Sequence, residues 1–138
     1  MTTAHRLGVY LAALIAFLAL DVAWLGLFAS GFFRSELGGL LRGEPNLAPA
    51  AVFYLIHVLA LVVLVIGPAL ESHSLGQALR NGGLLGLAAY ATFDLTNLAI
   101  IEGWTWRAAI VDMAWGTFAT ALAAAAGYGA GASARRLG

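Results

Sequence analysis

The fold class predicted here is all-α, an integral membrane four-helix bundle. Two observations predict it. Of the 138 residues, 62% are hydrophobic and only 10% charged, with a mean hydropathy of +0.89. A soluble domain carries about 25% charged residues, because its outside must stay in water. The apolar residues also gather into four runs, each close to the roughly 20 residues that cross a bilayer as a helix. Lipid offers a bare backbone no hydrogen-bond partners, so helices are the only elements that fit. The length allows one domain, a four-span unit over 1–138.

The first span covers about 7–29 and is interrupted only by Asp21. Although His5 and Arg6 precede it, the run outlasts the usual 7–15 residues of a signal peptide, so it reads as an uncleaved helix. A polar connection, Ser30 to Ala48, follows. The second span, about 50–70, opens behind Pro49, a residue suited to a first helical turn. The third, about 82–101, holds Asp94, and the fourth, about 108–126, holds Asp112. Phe32-Phe33, Trp104 and Trp106 mark the membrane interfaces. The tail after Gly127 ends in Arg135-Arg136 and reads as frayed.

Four spans put both termini and the second connection on one side. That side holds Arg6, Arg80, Arg135 and Arg136, and the other holds Arg34, Arg42 and Arg107. The excess favours cytoplasmic termini. The absence of cysteine excludes disulfides and thiolate chemistry. Seven arginines spread along the chain make no basic patch for nucleic acid.

Laid over one another, the stretches Ala16–Leu27 and Ala89–Ile100 align Asp21 with Asp94, together with the leading alanine and an aromatic. A duplicated hairpin would make the bundle two parallel repeats about an axis along the membrane normal. Asp21 and Asp94 would then face each other at equal depth. Separately, Ala12 and Ala16, Gly82 and Gly86, and Ala119, Ala123, Gly127 and Gly131 form rows of small residues that permit close helix approach.

An aspartate at the centre of a span costs about 2.5–3.5 kcal/mol. Each must be neutral, paired or turned to a wet cavity. Counted at about 1.5 Å per residue, Asp21, His57, Asp94 and Asp112 fall in the half of the membrane away from the termini. Their neighbours on the same helix faces are Trp24, Tyr54, Tyr90, Asn97 and Trp115. These nine residues form the candidate binding site, which Thr92, Thr96, Thr117 and Glu102 would extend. Interhelical glue is the rival reading, each such contact averaging about 0.6 kcal/mol. There is no Glu-x-x-His or His-x-x-x-His pair, so no metal is assigned, and no cofactor is implied. His57 beside an aspartate would supply a proton donor and acceptor.

At Asp21-Val-Ala-Trp24-Leu-Gly26, Asn46-Leu47, Phe53-Tyr54, Tyr90-Ala-Thr-Phe-Asp94-Leu-Thr-Asn97-Leu98 and Asp112-Met-Ala-Trp115-Gly116 the chain resembles the bacterial predicted-membrane-protein family of domain of unknown function 2177. The resemblance runs from about Tyr10 to Tyr128. It implies four spans, a bacterial inner membrane and this residue set, without implying a reaction. Members carry a Phe-Tyr pair where this chain has Phe32-Phe33, and they lie near genes of lipid modification.

The residues therefore support a binding or transport protein for a proton, cation or small solute. Four helices rarely enclose a pathway alone, so that reading expects a homodimer or larger assembly in the lipid bilayer. The alternatives are a membrane-embedded enzyme or accessory subunit in lipid or quinone modification, with His57 and an aspartate as acid and base, and a purely structural role.

Overall fold

The computed structural model describes residues 1–137, with side chains described through Arg135. Every regular element among them is helical. Four helices are long and apolar enough to cross a membrane: α1 (Thr3–Leu40), α2 (Leu47–Glu71), α3 (Leu75–Ile100) and α4 (Trp106–Leu137). The all-α membrane bundle that the composition predicts is the architecture observed.

The helix ends differ from the sequence expectation in an instructive way. The stretch Ser30–Leu40, expected as a polar connection, continues α1, passing through one π-helical turn at Leu25–Ala29. Its charged residues are not loop signals. Glu36 accepts a hydrogen bond from the Thr105 hydroxyl at 2.8 Å and pairs with Arg107 at 3.6 Å, so the polar turns of α1 lie against the start of α4. The α-helix ends at Gly38, whose φ of +47° suits a residue without a Cβ. At about 1.5 Å per residue, the stretch Thr3–Leu37 makes roughly 50 Å, well beyond a hydrocarbon core of about 30 Å.

The second connection shrinks to Ser72–Ser74. His73 takes a positive φ of 52°, and the Ser74 hydroxyl caps α3 by accepting from the Gln77 amide at 3.0 Å. At the other end of the bundle, Asn46 caps α2 by accepting from the Ala48 amide at 3.2 Å. The tail expected to fray is helical to Leu137. Arg135 holds it by donating to the Leu70 carbonyl at 2.8 Å, and the His5 ring nitrogen meets the Gly131 carbonyl at 2.9 Å.

Helix α4 is the spine, packing along α3 on one side and α1 on the other. Small residues decide where it comes closest. A Cβ on Gly82 would stand 2.7 Å from that of Ala124, and one on Gly86 2.7 Å from that of Thr120, so α3 and α4 touch almost backbone to backbone. Lower on α4, Gly127 admits Ile66 and Ala13, and Gly131 admits Leu70 and Val9. On α1 the inward row is Val9, Ala13, Phe17 and Asp21, one position on from the expected Ala12 and Ala16. Consecutive helices are neighbours, which leaves α1 and α3 at opposite corners. The two hairpins are not packed alike, however. The α3–α4 pair is closely apposed through its glycines, whereas α1 and α2 meet sparingly.

Candidate functional site

The core below the site is apolar: Val9, Ala13, Leu61, Ile66, Leu70 and Ala123 fill the end nearest the termini. Polar side chains enter only above Phe17. The first is His57 on α2, buried between the rings of Phe17 and Phe53 at centroid distances of 5.2 and 5.1 Å. Its Nε2 lies 3.0 Å from the Thr120 hydroxyl of α4. His57 therefore has a hydroxyl for a partner, and no aspartate reaches it.

One turn above, three helices tie together at Asp21. Its carboxylate accepts a hydrogen bond from the Tyr54 hydroxyl of α2 and a second, of 3.1 Å, from the Trp115 indole of α4. The Trp115 ring lies flat on Trp24, with centroids 4.6 Å apart and planes within 5°. Trp24 thus props Trp115 from the lipid side and takes no direct part in the polar cluster.

Asp94, on α3 in the opposite corner, has a different environment. It is 0% exposed, and neither carboxylate oxygen has a hydrogen-bond partner among the described residues. Asp112 of α4 and the indole of Trp104 lie beside it, both close enough to interact with the carboxyl, though neither makes a well-formed hydrogen bond to it. The indole nitrogen of Trp104 is itself buried without a partner. Asp112 also lies within electrostatic reach of Asp21.

Tyr90 joins the two halves. Its ring sits over Gly116, where only a glycine leaves room, and its phenol lies within electrostatic reach of Asp21, Asp94, Asp112 and Tyr54. Two phenols and three carboxyls thus share one level of a low-dielectric interior, with no cation among them. Like charges repel strongly in such a medium.

Of the nine candidate residues, the structure brings Asp21, Tyr54, Tyr90, Asp94, Asp112 and Trp115 to one level. His57 sits one turn below with Thr120. Trp24 stands behind Trp115, and half-buried Asn97 lies one turn beyond Asp94 with no side-chain hydrogen bond among the described residues. The residues expected to extend the site do not. The hydroxyls of Thr92 and Thr117 bond their own helix at Ala88 and Met113, while Thr96 and Glu102 are exposed. Sequence reasoning missed Thr120 and the inward role of Trp104. Thr120 lies eight residues from Asp112, on the same helix face, and that spacing was the available signal. Among the described residues no three His, Asp or Glu side chains are grouped to hold a metal ion.

The profile of one protein family, described as "Predicted membrane protein (DUF2177)", matches residues 6–129. No curated protein and no solved structure matches the chain.

Proposed function

Since the chain belongs to the predicted membrane protein family of domain of unknown function 2177, we propose that it is a multi-pass binding or transport protein whose acidic pocket takes up a proton, or a small cation or cationic solute in its place. One observation carries this reading: Asp94 is wholly buried, with both carboxylate oxygens unpartnered, beside the second carboxyl of Asp112. A residue kept for glue makes its bonds, as Asp21 does with Tyr54 and Trp115. A carboxyl that costs kilocalories to bury, and that has no well-formed bond among the described residues, is suited to take up a proton or a cation. In this reading Asp94 and Asp112 take the proton or cation, Tyr90 links them to Asp21, and Asp21 fixes the pocket wall. We place the unit in a bacterial inner membrane with both termini cytoplasmic, as a homodimer or larger assembly. In the alternative, a lipid- or quinone-modifying enzyme or accessory subunit, His57 would act as acid or base together with the Thr120 hydroxyl it meets through Nε2, in place of an aspartate.

The test separates site from structure. Asp94→Asn keeps the shape and removes the titrating group. It should be at least as thermostable as the parent in detergent, yet fail to complement a deletion strain. An Asn variant that is destabilised, or that complements fully, would overturn the reading.

A further inference from the structure

A shallow, open groove runs along the lipid-facing side of α3 and α4, next to the Trp24–Trp115 stack, with which it shares Ala114 and Phe118. Its floor is made of small residues, Gly83, Ala114, Thr117 and Ala121, and Leu84, Leu87 and Phe118 rise beside it. Arg80 closes one end. From Arg80 to Leu87 the groove runs about 10 Å along α3, at about 1.5 Å per residue. It is almost wholly apolar apart from that arginine.

Arg80 sits five residues into α3, and the apolar run of the helix begins just after it, at Gly82. That is the depth of the boundary between hydrocarbon and headgroups. The side chain is exposed, its Nε donates to the neighbouring Asn81 at 3.3 Å, and it forms no ion pair among the described residues. The same end of the bundle carries Arg6 and Arg135, and its one carboxylate in the sequence is Glu71 on α2. A cation at phosphate depth above an apolar slot matches a ligand with an anionic head and a hydrocarbon tail.

We propose that this groove is a binding site for an anionic phospholipid, with the phosphate on Arg80 and one acyl chain lying over Gly83, Thr117 and Ala121. A second copy of the chain is the competing occupant, and charge argues against it. Two copies inserted the same way and related by a two-fold axis through the groove would bring Arg80 to Arg80. No carboxylate on α3 or α4 lies at that depth to separate them. An anionic headgroup answers the arginine, and a two-fold partner does not. Basic pockets between helices on the cytoplasmic side are known lipid headgroup sites, and one arginine near the surface is worth about a fivefold change in affinity.

The experiment uses the full chain in detergent with added dioleoylphosphatidylglycerol or dioleoylphosphatidylcholine. Lipid retention is read by native mass spectrometry and stability by thermal unfolding. The parent should retain and be stabilised by the glycerol lipid in preference to the choline lipid. Arg80→Gln should bind the anionic lipid about fivefold more weakly and lose the preference. Ala121→Leu, which fills the floor and keeps the charge, should lower retention of both lipids. Arg80 is exposed, whereas Ala121 is half-buried beside Gly82 and Gly83, so folding is checked independently by elution as a single species. A parent that responds equally to the two lipids would overturn the proposal, as would a preference that survives Arg80→Gln. A parental dimer that Ala121→Leu dissociates would give the groove to a second copy instead.

Discussion

Asp21 and Asp94 are the same residue type at matching places in two helices, yet their replacement by leucine should move stability in opposite directions. Asp94 makes no well-formed hydrogen bond among the described residues, so Asp94→Leu takes only a neighbour, and no settled partner, from Asp112 and Trp104. It removes an uncompensated buried polar group, worth about 1–3 kcal/mol. Against that stands the extra volume of leucine in a packed site, which takes back part of the gain. A net stabilisation of about 1 kcal/mol remains. Asp21→Leu, in contrast, strips Tyr54 and Trp115 of their acceptor. Interhelical hydrogen bonds within membranes average about 0.6 kcal/mol and reach about 1.7. Losing two therefore costs roughly 1–3 kcal/mol. At about 4 °C per kcal/mol for a chain of this length, Asp94→Leu should melt about 4 °C above the parent and Asp21→Leu about 4–12 °C below it. Retention of the monodisperse peak after heating in detergent measures both without relying on indole fluorescence, which the loss of a Trp115 partner would itself disturb. If Asp94→Leu falls as far as Asp21→Leu, then Asp94 has a bonding partner in the folded protein, and the idea of a carboxyl held ready fails.

Two further outcomes follow from the packing and the topology. Gly86→Ala would press a methyl into Thr120 and the backbone of α4. It should lower stability by about 1–3 kcal/mol and loosen the His57–Thr120 contact, seen as a lower melting temperature, whereas Gly83→Ala, whose nearest neighbour would stand at 3.6 Å, should be nearly silent. Single cysteines at exposed His73 and Ser133 should label from one side of the membrane, and those at exposed Arg34 and Glu102 from the other. Labelling of all four from one side would break the four-span topology.

Hydrophobicity made the four spans legible, because run length and bilayer thickness are the same physical constraint. The ends were not legible on that basis. Ser30–Leu40 looks like a loop because it is polar, and it is helical because Glu36 finds Thr105 and Arg107 across the bundle, a pairing invisible along the chain. The tail beyond Gly127 looks like a frayed end because it is rich in glycine and alanine. Those small side chains are what let Leu70, Ile66 and Val9 approach α4 and hold it helical. Rows of small residues do mark close helix approach. Which helix they approach depends on a rotation about the helix axis that composition does not report, hence the shift from Ala12 and Ala16 to Ala13 and Phe17.

The site poses the same problem at the scale of single side chains. Depth counting placed three carboxyls at one level, and periodicity placed an aromatic beside each. What neither could show is which carboxyl would be answered. Asp21 lies where α2 and α4 each present a donor, Tyr54 and Trp115, and it takes both. Asp94 lies in the opposite corner, on the stretch of α3 that faces the start of α4. There Asp112, a second acceptor, and the Trp104 indole lie beside it without making a well-formed hydrogen bond. The difference between a structural aspartate and a waiting one thus comes from which side chains the neighbouring helices present. Gly86 lies two turns from Asp94 on the same helix. A methyl there pushes α3 from α4 at Thr120, and a rigid helix carries that displacement toward Asp94 and Asp112. Gly86→Ala should therefore act on the pocket as well as on stability, and both effects would be read together.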